Sequence, residues 1–152
     1  MPDDRHEDNA QNLTAYPITY IGPETYAKAF PGSGFGVVMD DDGETCYLFA
    51  TSEDFTEMLD GMLIFDPVST DPLVKGEKAY IIWNAVEQKA GLYYHGEYQA
   101  IIDFANTAAC CRIGLPEPDP AGWCKSSHRW DKKMLSGMTF VRLSTEQPPE
   151  AN

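Results

Sequence analysis

The chain has 152 residues, 43% of them hydrophobic, and a formal net charge of −13. A chain of this length is typical of one domain with its own core, and this apolar content excludes general disorder. The acidic balance argues against a nucleic-acid partner, because phosphates are bound by basic surfaces. A membrane partner is not expected either, since no apolar run approaches the roughly 20 residues of a membrane-spanning helix.

The two ends of the chain differ in composition from its centre. Residues 1–12 are mostly acidic and polar, and residues 146–152 include consecutive prolines. Both therefore predict disordered tails around a single β-rich globular domain at residues 13–145. The start lacks the basic and then apolar stretches of a secretory signal. We expect a cytoplasmic protein that needs no cofactor.

The first half of the chain predicts a β hairpin. Apolar and aromatic residues at 37–39 and 46–49 flank an acidic turn that contains Gly43. Aspartate and glycine tolerate positive φ, so the chain can reverse tightly while both flanks stay extended. Before it, residues 14–21 predict a strand, and Pro17 favours a sheet edge because proline cannot donate to the ladder. The other elements predicted here are a strand at residues 26–30, one or two helical turns at 52–59 and a strand at 62–65.

The second half predicts an antiparallel meander. Its strands are expected at residues 79–83, 91–94, 98–104 and 108–113. Alternation within the third places Tyr98 on the same face as Ala100 and Ile102. A short helix is predicted at residues 127–136 and a last strand at 139–143. The expected fold class is α+β: a predominantly antiparallel β meander of about seven to nine short strands, with one or two short helices.

The cysteines and histidines include weak candidates for metal ligands. Cys110 and Cys111 are adjacent and would point to opposite faces of a strand, so they are poor disulfide partners and free thiols are expected. At most one of them, with Cys111 as the candidate, could join Cys124 and His128 in a zinc site, but the paired C-x-x-C spacing is absent. The simpler interpretation is small buried residues with one exposed thiol, and no metal is predicted.

The acidic turn could chelate a cation or bind a partner. Asp40, Asp41, Asp42 and Glu44 supply carboxylates, but their spacing does not match an EF-hand loop, and the acid required at its twelfth position is missing. A solvated hairpin tip is the simpler interpretation. We take these four acids as candidate partner-binding residues.

A second set of candidates lies later in the chain. Residues 1–124 hold 21 acidic and 6 basic side chains, whereas the charged side chains of residues 125–142 are mostly basic. The further candidate partner-binding residues are His95, Trp123, Arg129, Trp130 and Asp131. A solvated helix face explains the basic residues equally well.

The chain resembles a known family through four segments. They are residues 37–50, with their Asp-Asp-Gly-Glu-Thr turn, Ile81-Ile82-Trp83, Cys111-Arg112-Ile113-Gly114, and Trp130-Asp131. Together they resemble a family of small uncharacterised bacterial proteins, a domain of unknown function, over about residues 20–135. The resemblance implies a bacterial origin and a single compact domain, and it brings no catalytic residues.

Two functional hypotheses follow. The first is a non-enzymatic interaction protein, for example an immunity-type inhibitor, whose acidic surface binds a cationic protein partner. The alternative is a small-ligand or metal-dependent enzyme that uses Cys111, Cys124, His128 or His95 around a pocket at the sheet end. The sequence contains no recognisable catalytic set, so it favours the first, and a homodimer stays open.

Overall fold

Two antiparallel sheets make up the fold of residues 13–139, the part of the chain that this computed structural model describes. The strands are β1 (Leu13–Thr19), β2 (Glu24–Ala29), β3 (Phe35–Asp41), β4 (Cys46–Ser52), β5 (Met58–Phe65), β6 (Lys78–Asn84), β7 (Lys89–Tyr94), β8 (Glu97–Asp103) and β9 (Ala108–Cys111). The five-stranded sheet has the order β1-β6-β7-β8-β9, and the four-stranded sheet the order β2-β3-β4-β5.

The main core is formed by side chains from both sheets. In β3 and β4, Val37, Met39 and Leu48 alternate with less buried neighbours, and Ile81 and Leu92 come from the other sheet. The last four of these side chains are completely inaccessible to solvent. Alternation of this kind produces a β sandwich, because each sheet buries one face against the other.

The five-stranded sheet is also buried on its second face. Ile82, Ile101 and Cys110 project from it and pack against Met134 and Met138 of the C-terminal segment. This sheet therefore has apolar residues on both faces, which explains the consecutive apolar residues in β6, β7 and β8.

The edge strands β5 and β9 contact each other at one side of the sandwich. Residues 112–131 cross this side, and the backbone amide of Leu63 in β5 donates to the carbonyl of Leu115 in the crossing at 2.9 Å. The amide of Cys111 at the end of β9 donates to the carbonyl of His128 at 3.0 Å. The crossing segment thus joins the two sheets.

The antiparallel β architecture is confirmed, and Pro17 lies in the edge strand β1 as expected. The predicted helical content is wrong: within residues 13–139 there is no α-helix, only a 3₁₀ turn at Lys132–Leu135. Residues 127–131 are not helical, and the carbonyl of His128 instead accepts a hydrogen bond from the amide of Cys111 in β9. Residues 52–59 instead contain the end of β4, the connection at residues 53–57 and the start of β5, and the Ser52 amide closes the connection by donating to the carbonyl of Glu57 at 3.0 Å.

The face predictions have mixed outcomes. Cys110 and Cys111 lie on opposite faces of β9, as predicted. Tyr98, however, belongs to the second core, away from Ala100 and Ile102, because a bulge shifts the pairing of β7 with β8 beside it.

Three sequence predictions lie outside the described residues. They are the tails at residues 1–12 and 146–152 and, beyond Thr139, the strand at residues 139–143. Among the described residues, no helix has the length and apolar character needed to cross a membrane.

Candidate functional site

The acids of the predicted hairpin are divided between strand and turn: Asp40 and Asp41 end β3, and Asp42 and Glu44 lie in the turn before β4. Asp42 accepts hydrogen bonds from the amides of Glu44 and Thr45, both at 2.9 Å. These bonds, the one from Thr45 most strongly, lower the pKa of Asp42. Asp41 is buried and accepts from the amide of Gly43 at 2.9 Å. Two of the four acids are therefore held by the turn that they form.

His95 occupies the turn between β7 and β8 in the other sheet. Its backbone is left-handed, with φ of 53°, and its ring bonds to Asp71 at 3.0 Å and Glu77 at 2.9 Å. Burial lowers the pKa of His95, but the hydrogen bonds and charges of the two carboxylates together raise it by more than burial lowers it. The pKa of His95 therefore lies above the ordinary value. This predicted partner-binding residue is engaged in an ion pair within the chain.

The remaining predicted partner-binding residues follow β9. Trp123 is half-buried, whereas Arg129 is exposed. Trp130 lies beneath the guanidinium of Arg112, which is 3.8 Å from the ring centroid. Asp131 caps the 3₁₀ turn by accepting from a backbone amide at 3.0 Å. Trp130 packs on the second face of the five-stranded sheet and Trp123 packs against the main core, whereas the hairpin acids belong to the four-stranded sheet.

A buried cluster of three potential metal ligands lies where the crossing segment meets β5. Its members are Asp60 of β5 and Cys124 and His128 of the crossing, and their ligand atoms all lie within 4.8 Å of one another. The side chains of His128 and Asp60 are only 1% and 11% exposed, and Cys124 is 4% exposed. We refer to these three residues as the buried cluster.

Both ring nitrogens of His128 face oxygen atoms. Nδ1 lies against the carbonyl oxygen of Pro116, and Nε2 lies 2.7 Å from Oδ2 of Asp60. Burial lowers the pKa of His128, whereas the hydrogen bond and charge of Asp60 raise it, and the net pKa lies above the ordinary value. The ring is thereby fixed in orientation, with Nε2 directed at the carboxylate.

The structure brings together two of the three weak metal candidates. Cys111 is outside the buried cluster: its Sγ accepts from the amide of Gly114 at 3.2 Å, in the turn that follows β9. All four cysteines are buried, so the predicted exposed thiol is wrong. Asp60 was missed, although a single acid within the apolar run Met58–Phe65 could have indicated it.

The second candidate surface is the face of the four-stranded sheet that points away from the core. We call it the outer face. Cross-strand pairing arranges it in three rows: Thr25, Asp40, Tyr47 and Leu63; Ala27, Val38, Phe49 and Gly61; Ala29, Gly36, Thr51 and Met58. None of these residues is a lysine or an arginine.

Aromatic rings lie across the outer face. Tyr47 and Phe49 stack with centroids 5.7 Å apart. Phe49 covers Gly61, where an added Cβ would lie 2.7 Å from the ring, and Phe55 covers Gly36 in the same way, also at 2.7 Å. Phe55 is 42% exposed and has a φ of 64°, a left-handed conformation that is rare for an aromatic residue. These rings form an apolar surface on the sheet.

A small cavity lies at one end of the sandwich. Its volume is about 230 Å³ and it is lined by Phe30, Pro31, Gly32, Ser33, Phe35, Trp83, Ala85 and Gln88. The Nε1 atom of Trp83 is buried without a hydrogen-bond partner among the described residues. The lining contains no member of the buried cluster, so cavity and cluster are separate features.

Comparison with known proteins gives one family. The profile of DUF2251, described as an uncharacterized protein conserved in bacteria, matches residues 19–139. No curated protein and no solved structure matches the chain. The matched range contains strands β2 to β9, the outer face and the buried cluster.

Proposed function

We propose that this chain, which belongs to the DUF2251 family of uncharacterized proteins conserved in bacteria, is an interaction protein that binds a cationic protein partner through its outer face. The supporting observation is the aromatic surface formed by Tyr47, Phe49 and Phe55 in a part of the chain that contains only acidic charges. The family is described as conserved in bacteria, and its description gives no activity.

The charge distribution favours a basic partner. Residues 29–74, which contain β3, β4 and β5, have ten acidic side chains and no lysine or arginine. The neighbouring Lys28 does not offset this charge on the outer face, since its ammonium lies 5.0 Å from the ring centroid of Tyr16 in the other sheet. Complementary charge of this kind accelerates encounter and rejects acidic proteins.

The aromatic rings supply the short-range part of recognition. Exposed aromatic residues are typical of interface centres, where rings also hold arginine and lysine by cation–π contact. Asp40 lies directly beside Tyr47 in the same row, and Glu53, Asp54 and Glu57 lie in the connection that carries Phe55. A basic side chain on the partner can therefore contact a ring and a carboxylate together.

The backbone of Phe55 supports a role in binding. An aromatic residue in the left-handed region costs roughly 1–3 kcal/mol, and such residues cluster at functional sites. The amide of Phe55 donates to the carbonyl of Ser52 at 3.0 Å, and Asp54 accepts from the hydroxyls of Ser52 and Thr56. The connection thus holds the ring on Gly36, with part of it exposed.

A second copy of the chain is a poorer occupant of this face. Each copy has a net charge of −13, so pairing two outer faces would bring like charges together. A basic toxin that is neutralised by an immunity-type protein would carry the positive charge that this face requires. Solution size distinguishes the two cases, because self-association makes it depend on protein concentration.

The test starts by recovering a partner. Full-length protein is immobilised, extracts of its bacterial host are passed over it at low salt, and bound proteins are identified by mass spectrometry. We expect a basic protein that is released as salt rises, because charge attraction is screened. Recovery of no partner at low salt would contradict the proposal.

Two pairs of variants then locate the binding face. Phe55→Ala removes an exposed ring, and Val86→Ala is its control, since Val86 is 73% exposed beyond β6 of the other sheet. We expect Phe55→Ala to weaken binding by about tenfold or more, the effect of about 1.4 kcal/mol at an interface residue. Equal effects of the two variants would exclude the outer face.

The second pair reverses charge. Glu57→Lys places a cation beside the aromatic surface, and Glu97→Lys makes the same change at an exposed residue of β8. We expect Glu57→Lys to slow association and to reduce its salt dependence, with a much smaller effect of Glu97→Lys. Association rates that respond equally to both would show that only overall charge matters.

A further inference from the structure

We infer that Asp60, Cys124 and His128 form a binding site for one zinc-type transition-metal ion. The buried cluster lies on the inner side of β5, where the crossing segment closes the sandwich, and it takes no part in the outer face. The inference is therefore independent of the proposed partner. It assigns a ligand class to Cys124 and His128 of the crossing segment together with Asp60, which lies 68 residues before His128.

The chemistry of the donor set selects the metal. A carboxylate, a thiol and an imidazole supply one oxygen, one sulfur and one nitrogen ligand. Thiolate and imidazole suit zinc and its neighbours in the first transition row, whereas calcium and magnesium take oxygen ligands. Three protein ligands leave the fourth position of a tetrahedral ion for water or another small ligand.

The distances fit this ion after small side-chain movements. Zinc bonds of about 2.0–2.3 Å in a tetrahedron place neighbouring ligand atoms roughly 3.3–3.6 Å apart. The three ligand atoms lie within 4.8 Å of one another, and Nε2 of His128 is 2.7 Å from Oδ2 of Asp60. The nitrogen and oxygen must separate by about 0.6 Å and the sulfur must approach, which are movements that side-chain rotations supply.

The surroundings of His128 match those of a metal-binding histidine. The N–H of the second ring nitrogen of such a histidine usually donates a hydrogen bond to a carbonyl or carboxylate, which fixes the ring and the tautomer. Here Nδ1 faces the carbonyl of Pro116, so Nε2 is the nitrogen directed into the buried cluster. Binding of the ion displaces the thiol proton of Cys124 and the proton between Nε2 and Asp60, because the ligands must be deprotonated.

Burial provides the second argument for a site. Asp60 and His128 are nearly inaccessible, although such side chains are seldom buried unless they are paired or coordinate a metal, and the thiol of Cys124 is buried beside them. Asp60 and His128 pair with each other, but among residues 13–139 the thiol of Cys124 has hydrogen-bond contacts only with the carbonyl and hydroxyl of Ser126, at 3.3 and 3.6 Å. A metal ion uses all three side chains at once.

The test uses tag-free, full-length protein that has been freed of metal by chelator treatment. Cobalt is added first, because a cobalt–thiolate bond gives charge-transfer absorption in the near ultraviolet, and zinc affinity is then measured by competition with a coloured chelator. We expect one metal ion per chain and charge-transfer absorption from one thiolate. Folded protein that binds neither ion would overturn the inference.

Variants identify the ligands. Cys124→Ser should abolish the charge-transfer absorption, and Asp60→Asn should weaken zinc binding by roughly 100-fold or more, beyond the 10–100-fold typical of second-shell losses. Cys110→Ala is the matched control, since this buried thiol faces the second core, and it should leave both readouts unchanged. Absorption that persists in Cys124→Ser, or an equal loss in Cys111→Ser, would overturn the three-ligand assignment.

X-ray absorption of the zinc-loaded wild-type protein needs no variant, so it identifies the metal ligands even if Cys124→Ser does not fold. We expect the zinc ion to be coordinated by one sulfur atom together with nitrogen and oxygen ligands. Two or more sulfurs, or none, would show that a different set of side chains binds the metal.

Discussion

The ion pair between Asp60 and His128 should hold the crossing segment to β5 in the metal-free protein. The two side chains are 11% and 1% exposed, and Nε2 lies 2.7 Å from Oδ2. Removing one partner of a buried pair leaves the other without compensation, at a cost of about 3–5 kcal/mol. Asp60→Asn should therefore lower the free energy of unfolding by about 3 kcal/mol, which is roughly 6–12 °C in Tm for a chain of this size.

The contribution of the pair itself follows from a double-mutant cycle. His128→Gln alone should destabilise the protein by a similar amount, and adding it to Asp60→Asn should cost less than the sum, with a coupling of about 2 kcal/mol. Urea unfolding in the presence of a chelator, followed by tryptophan fluorescence, measures all four proteins. A coupling below about 0.5 kcal/mol would mean that the two residues act independently.

The chain supplies a matched control for this experiment. Asp71 also bonds to a histidine, at 3.0 Å from His95, but its side chain is 69% exposed. An exposed ion pair contributes at most about 1 kcal/mol, so Asp71→Asn should have a much smaller effect than Asp60→Asn. Equal losses of stability in the two variants would refute the assignment of the effect to burial.

Three further predictions concern stability and thiol reactivity. Gly91→Ala should destabilise the protein by about 1–3 kcal/mol, because the added Cβ would lie 2.6 Å from the buried ring of Tyr98; an unchanged urea midpoint would contradict this. All four thiols are buried, so a disulfide reagent should react with none of them until denaturant is added, and rapid labelling of native protein would count against the fold. His95, whose pKa is raised by Glu77 and Asp71, should stabilise the fold fully below pH ~6.5, its unfolded pKa, and lose this contribution as pH rises through the folded pKa. The Tm difference between wild type and His95→Asn should therefore be largest in mild acid, and a difference that grows toward alkaline pH would show the opposite sign.

The hairpin could be predicted from sequence because its determinants are local. The turn residue Gly43, with its positive φ, and the alternating apolar residues lie within residues 35–52, and the structure pairs Phe35 with Ser52 and Asp41 with Cys46. The edge position of β1 was likewise local, since Pro17 alone indicated it. Signals of this kind do not depend on what packs around them.

The division into two sheets could not be predicted in the same way. The first strand pairs with β6, so that Leu13 lies opposite Asn84, and nothing near either residue specifies that partner. The predicted helix at residues 127–136 failed for a related reason. Its apolar spacing suits a helix, but hydrogen bonding to β9 fixes the backbone of His128 in another conformation. Tertiary contacts override weak local preference.

The same limit explains what was found and missed in the buried cluster. Cys124 and His128 are four residues apart and were recognised as a possible pair of ligands, whereas Asp60 lies 68 residues before His128. The predicted helical turns at residues 52–59 overlapped the start of β5, of which only residues 62–65 were predicted as a strand, and the pairing of β5 with β4 contains two register shifts. Only the structure shows that the inner side of β5 brings a carboxylate to the crossing segment.

The acidic charge of the chain does not by itself locate a binding surface. Several acids are engaged by their own backbone: Asp42 bonds to the turn after β3, and Glu53 accepts from the amides of Gly32 and Gly34 at 3.0 and 2.8 Å. Such carboxylates keep their charge but are fixed by loop structure, so they attract a cationic protein without selecting one. Selection requires close contact, which in the proposed interface comes from the rings of Tyr47, Phe49 and Phe55 on the four-stranded sheet. Charge brings the proposed partner to this sheet, and the aromatic surface determines which partner stays.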